Sequence, residues 1–164
     1  MRLAHVLALS TLSFIAPFAH SSDTAAPPMP RAAPATPADS LSAARMLIDA
    51  SRWSAAITEL KRVDESSSAD WNNLMGYTLR KGSTPDLAAS EKYYDAALRI
   101  DPHHRTTLEY SGELYLMKGE LVKAQSRLRA LQAECGEDCT QYGDLKAAID
   151  RYVASGNKYV SNGW

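Results

Sequence analysis

The chain has 164 residues, with 18 Lys and Arg against 19 Asp and Glu, a net charge of −1. A balance this close to neutral provides no field for gathering nucleic acid or anionic lipid, so neither is expected as a partner. Cys135 and Cys139 are its only thiols.

The first stretch, MRLAHVLALSTLSFIAPFAHSS, carries one positive charge at Arg2 and then a mostly apolar run without acidic residues. That is the layout of a signal peptide, expected over 1–21, and it predicts a periplasmic or secreted protein. The run is interrupted by His5, Ser10, Thr11 and Ser13 and is shorter than the roughly 20 apolar residues of a membrane span, so no span is expected after cleavage. Residues 22–39 are rich in Pro and Ala and lack any aromatic side chain, which predicts a linker with nothing to bury. The remainder, from about Ser40, suits one domain.

Three stretches align without gaps: WSAAITELKRV (53–63), LAASEKYYDAA (87–97) and LVKAQSRLRAL (121–131). Trp53, Leu87 and Leu121 stand 34 residues apart, as do Ala56, Ser90 and Ala124; Leu60, Tyr94 and Leu128; and Val63, Ala97 and Leu131. Offsets of 0, 3, 7 and 10 within each stretch lie on one stripe of an α-helix, and the recurring period signals stacked units. A second apolar helix pattern precedes each stretch, with Ala44, Gly76 or Gly112 at the site where the paired helix comes close. The middle unit has two extra residues, assigned to the turn-rich KGSTPD, where insertion is cheap. Asp101-Pro102 stops that unit's second helix. Tyr142, Leu145, Ile149 and Tyr152 repeat the stripe once more, predicting a helix over 140–155 that covers the last apolar face, followed by a tail over 156–164.

The period of 34, with Gly76, Ser90, Tyr94, Ala97 and Pro102 and then Gly112, Tyr115, Ala124 and Leu128, resembles the tetratricopeptide repeat family. The resemblance covers about 37–134, in units over about 37–68, 69–104 and 105–134. The first unit is degenerate, with Ala44 and Leu47 where glycine and tyrosine are common, and Trp71 stands one place ahead of the usual aromatic site. More narrowly, the chain looks like the small exported tetratricopeptide proteins of Gram-negative bacteria. The resemblance implies an all-α fold, a right-handed superhelix of three helical hairpins plus a C-terminal capping helix, seven helices in all.

No phosphate-cradling glycine loop, HExxH pair or nucleophile elbow is present, so no catalytic residue, metal site or cofactor is expected. His103 and His104 follow Asp101-Pro102 and read as solvated turn residues. The carboxylates lie among Lys and Arg, as on a solvated face. Binding therefore carries the functional expectation. In the family, the first helix of each unit lines a concave groove. The resemblance places there Arg45, Ile48 and Asp49, then Asn73, Tyr77, Arg80 and Lys81, then Glu109, Glu113, Leu116 and Met117. Tyr77, Leu116 and Met117 are then apolar anchors, and Arg80 and Lys81 partners for an acidic peptide. The lysine and asparagine set with which some members clamp a terminal carboxylate is not reproduced.

Cys135 and Cys139 admit three readings. An oxidising compartment and the intervening Gly136 favour a disulfide. On a continuous helix, Cβ atoms at i and i+4 are about 6 Å apart, beyond the ~3.8 Å a bridge prefers, so the chain must bend over 135–139. That places the end of one helix near Glu134 and the start of the next near Asp138 or Thr140. A redox couple would have Glu134, Glu137 and Asp138 raising its thiol pKa values. Two thiolates also suit a soft ion such as Cu(I), although no third ligand is near in sequence. The overall expectation is a non-catalytic scaffold for a protein or peptide partner. The alternative is a periplasmic thiol- or copper-handling accessory protein.

Overall fold

The structure, a computed structural model, describes residues 40–160. Seven helices follow one another: α1 (Ser42–Asp49), α2 (Trp53–Val63), α3 (Ala69–Lys81), α4 (Leu87–Ile100), α5 (Arg105–Met117), α6 (Leu121–Cys135) and α7 (Thr140–Ala154). No strand occurs among the described residues, so the chain is all-α there. The expected signal peptide and linker, together with residues 161–164, lie outside the described residues.

The repeated stripe is the buried side of each second helix. Ala56 and Leu60 on α2, Ser90, Tyr94 and Ala97 on α4, and Ala124 and Leu131 on α6 are buried. The helices pack chiefly as α1 with α2, α3 with α4 and α5 with α6, and α7 lies on both α5 and α6. One apolar core joins Leu41, Ala44, Ile48, Ala56, Leu60, Trp71, Leu74 and Met75. A second surrounds Leu145, Ile149 and Tyr152 of α7 with Leu108, Leu116, Ala124 and Leu131. All four stripe residues of α7 are buried, which is how this helix closes the last apolar face.

Glycine sets the closest helix approaches. A Cβ on Gly76 would stand 2.7 Å from the Tyr94 ring, so α4 seats its fully buried tyrosine directly on the α3 backbone. Gly112 was expected to admit its paired helix, α6, but the nearest atoms are those of Leu145 on α7, at 2.5 Å from such a Cβ. Seven residues on, Gly119 is nearest the Tyr152 hydroxyl, also seven residues beyond Leu145. The two contacts advance in step, so α5 and α7 run parallel.

Three helices end in the same way. Ser51, Gly119 and Gly156 have φ of 54°, 78° and 73° and follow α1, α5 and α7. Their amides donate to Ile48, Leu116 and Val153, and the next amides, of Arg52, Glu120 and Asn157, donate to Leu47, Tyr115 and Tyr152. This double bond pattern reverses the chain and satisfies carbonyls that would otherwise lack a donor. Between α3 and α4 the link has five residues, 82–86, against three in 50–52 and 118–120. There Asp86 reaches back to the Leu79 carbonyl through its amide and caps α4 by accepting from the Ala89 amide.

The Cys135–Cys139 disulfide spans the bend between α6 and α7. Cys135 ends α6, one residue later than expected; Gly136 turns with φ of 74°, and Cys139 stands at the N-cap of α7, which begins at Thr140. Neighbouring hairpins are also tied by charge. Glu91 on α4 pairs with Lys118, and Lys118 and Lys123 share Glu120, while the Tyr115 ring lies under Lys118, Lys123 and Arg127.

Candidate functional site

The offsets from Ala44, Gly76 and Gly112 decide which side chains of α1, α3 and α5 point inward. Four residues on lie Ile48, Arg80 and Leu116, all buried. Three residues before lie Leu41, Asn73 and Glu109, also buried. These are core slots, and an arginine and a glutamate sit in two of them.

A cavity of about 230 Å3 opens between α1, α3 and α5. It is lined by Arg45, Ile48 and Asp49, by Asn73, Leu74 and Tyr77, and by Thr106 and Tyr110. The Tyr77 and Tyr110 rings meet at 4.7 Å between centroids, inclined by 34°. The Arg80 guanidinium lies 5.5 Å from each ring and so braces the pair. Arg80 itself is held by Glu113, with Nη1 donating to Oε2 at 2.6 Å. Burial lowers the Arg80 pKa, but Tyr94 and Glu113 outweigh it and raise the value. Arg80 is therefore a fixed cation inside the fold. The expectation that it pairs with an acidic peptide is corrected, because its charge is met by Glu113 and its side chain is only 2% exposed.

The other carboxylate of this layer differs. Glu109 is buried, and its pKa is pushed up to about 8, first by burial and then by Glu113 and Asp144, against Arg80. The Glu109 carboxyl is mainly protonated at neutral pH. Burial also raises the Tyr77 and Tyr110 phenols, Tyr110 further through Glu109. The expectation that the carboxylates lie on a solvated face fails at these two positions, because α5 is covered by both α3 and α7.

A polar chain crosses the three helices beside the cavity. Arg45 pairs with Asp70 at 3.3 Å, and Asp70 accepts from His104 Nε2 at 3.0 Å. His104 Nδ1 accepts from the Thr107 amide and so caps α5. Because Nδ1 accepts, the ring proton belongs on Nε2, facing Asp70. The Thr107 hydroxyl donates to Asn73 Oδ1 at 3.1 Å, fixing the Asn73 amide in the cavity wall. His104 was expected as a solvated turn residue. It is instead the N-cap of α5, with only 15% of its side chain exposed. His103 is exposed and pairs with Glu134, which raises its pKa.

Of the expected groove residues, Arg45, Ile48, Asp49, Asn73 and Tyr77 line one cavity, while Arg80, Glu109 and Glu113 lie buried beside it. Leu116 is corrected to a core residue, 1% exposed, because it occupies the same slot as Ile48 and faces α6 and α7. Lys81 and Met117 are partly covered and stand apart from the cavity lining. The sequence reading missed Leu74, Thr106 and Tyr110, although Leu74 and Tyr110 share one offset, two residues before the glycines.

No protein-family model, curated protein or solved structure matches the chain. Among the described residues, no helix is long and apolar enough to cross a membrane, and no group of three or more His, Cys, Asp or Glu is placed to hold a metal ion.

Proposed function

We propose that this chain is an exported, non-catalytic scaffold of tetratricopeptide type that binds a peptide segment of a protein partner. The site is the face shared by α1, α3 and α5, the first helices of the three hairpins. The observation that carries this reading is the cavity between them. Its floor is Ile48, Leu74 and the braced Tyr77–Tyr110 pair, and its wall is the oriented Asn73 amide. An apolar floor with one fixed polar group suits a side chain of an extended or helical segment together with its adjoining backbone. Arg45 and Asp49 bring opposite charges to the rim, so the site has no strong preference for an acidic ligand. The Cys135–Cys139 bridge occupies both thiols that the thiol- or copper-handling alternative requires, which supports the scaffold reading.

The test is capture of partners from the exporting compartment by the parent chain and by Tyr77→Glu, which places a charge on the cavity floor. Loss of a specific partner in the variant, with an unchanged circular dichroism spectrum, is the expected result. An identical partner set would count against this face.

A further inference from the structure

Two contacts join the first turn of α3 to the first turn of α5, and each links residues 34 apart, the length of one repeat: Asp70 with His104 and Asn73 with Thr107. Asp70 and Asn73 are one turn apart on α3, as His104 and Thr107 are at the start of α5, so the two faces meet in register. Thr107 is fully buried and Asn73 is only 3% exposed. With Asn73 Oδ1 engaged by Thr107, Asn73 Nδ2 has no acceptor among the described residues, and Asn73 lines the cavity. An orphaned donor in a buried amide at a cavity wall calls for an acceptor from a ligand.

The Thr107 hydroxyl stands between two acceptors and has one proton to give. His104 Nδ1 is 2.8 Å from Oγ1, and Asn73 Oδ1 is 3.1 Å from it. When the proton goes to Asn73, Oγ1 and an unprotonated Nδ1 confront each other as two acceptors. A second ring proton, on Nδ1, removes that conflict. The chain then runs in one direction, from Nδ1–H to Thr107 Oγ1 and from Thr107 O–H to Asn73 Oδ1, while Nε2–H donates to Asp70. Both Nδ2 protons of Asn73 are left for the cavity. What this state gives up is the bond from the Thr107 amide to Nδ1, the longest of the set at 3.2 Å. With the ring neutral, Nδ1 accepts from the hydroxyl, and the Asn73 amide turns over to donate Nδ2–H to Oγ1. The two ends of an amide group are nearly alike in shape, so the turn needs no repacking, and Oδ1 then faces the cavity.

The charges that meet His104 come from α3 and α1: Asp70 at 3.0 Å, itself paired with Arg45 at 3.3 Å. In the preceding turn, Asp101 gives its carbonyl to the His104 amide and its carboxylate to the His103 amide, while His103 pairs with Glu134 of α6. Arg105, the next residue, is exposed.

We propose that His104, acting through the Thr107 hydroxyl, sets the hydrogen-bond polarity of Asn73 on the α1/α3/α5 face: with both ring nitrogens protonated, Asn73 offers its N–H donors and takes a backbone carbonyl, and with the ring neutral it offers Oδ1 and takes a backbone N–H. His104 is thus a positioning residue that never meets the ligand. The choice of a peptide group as ligand rests on the reading of this face as a peptide site, whereas the coupling of His104 to Asn73 is a property of the free chain.

The test therefore needs no partner: 15N NMR of the full chain from about pH 5 to about pH 8, the range in which histidine changes charge. The His104 ring is assigned by its loss in His104→Asn, and the Asn73 side-chain amide by its loss in Asn73→Ala. The expected result is one midpoint shared by ring and amide, with one Nδ2 proton moving downfield as pH rises and it engages Thr107 Oγ1. His104→Asn still offers a capping oxygen to α5 but does not titrate, so the Asn73 signals should become flat with pH. Thr107→Val should flatten them while His104 still titrates, and Thr107→Ser, which keeps the hydroxyl, should preserve the coupling. If Thr107→Val fails to fold, His104→Asn and Thr107→Ser carry the test. An Asn73 amide without pH dependence in the parent chain, or one that still follows pH in His104→Asn, overturns the inference. Coupled titration alongside partner capture that ignores Tyr77→Glu would count against the peptide site alone; uncoupled titration alongside Tyr77-dependent capture would count against the His104 switch alone.

Discussion

Arg80 on α3 and Glu113 on α5 form an ion pair at 2.6 Å with side chains only 2% and 11% exposed. It joins the middle hairpin to the third at a slot where the other two units place Ile48 and Leu116. Removing one partner from a buried pair strands the other charge and costs about 3–5 kcal/mol, whereas replacing both with apolar groups is often neutral. Arg80→Met should therefore destabilise the fold by several kcal/mol in urea melts. Arg80→Met with Glu113→Leu should recover most of that loss. Because Arg80 also braces Tyr77 and Tyr110, the double variant should still weaken partner capture.

Gly76 and Gly112 test the helix packing independently. A methyl group at either position would stand within 2.7 Å of a buried side chain, Tyr94 or Leu145. Overpacking of this kind costs about 1–3 kcal/mol, more than the helix propensity gained from Gly to Ala returns. Gly112→Ala should lower the melting temperature, and adding Leu145→Ala should relieve part of the effect. If α6 rather than α7 filled the space at Gly112, the second substitution would only add its own cavity cost.

Glu109 gives the fold a pH dependence with a defined sign. Its pKa rises from 4.5 to about 8 on folding, so the folded state binds its proton more tightly. That contribution is full below pH 4.5 and is lost as pH rises through about 8. Glu109→Gln mimics the protonated form at every pH. It should leave stability at pH 4.5 nearly unchanged and raise it by roughly 2–4 kcal/mol at pH 9, as read by chemical denaturation at the two pH values.

The bridge between Cys135 and Cys139 closes a short loop, for which chain-entropy estimates give only about 2 kcal/mol. Its larger role is to hold the bend between α6 and α7. Reduction, or Cys135→Ser with Cys139→Ser, should cost about that much globally. Hydrogen exchange should accelerate first in α7, leaving α1 to α4 protected.

The helices were readable from the stripe because each second helix buries one face and the buried positions recur every 34 residues. The bend at Gly136 was readable from the geometry that two cysteines four apart require. The site was only partly readable. Arg45, Asp49, Asn73 and Tyr77 followed from the family resemblance, which also placed Arg80 in the groove as a partner for an acidic peptide, although Ile48 and Leu116 at the same offset are apolar. An arginine in that series signals a buried cation and a partner on the next unit. The role of His104 was hidden because Asp70, which meets its Nε2, lies 34 residues away at the start of α3. Gly112 misled for a related reason: nothing local distinguishes a glycine that admits its own hairpin partner from one that admits the following helix.

The central claim is that partners dock on the α1/α3/α5 face. A photo-activated benzoylphenylalanine can be placed at Thr106, in the cavity wall, or at Val122, 75% exposed on α6. Irradiation of intact cells that make either variant should yield a discrete adduct from the Thr106 position, suppressed by Tyr77→Glu, and none from Val122. An adduct formed at Val122 and absent at Thr106 would contradict the account.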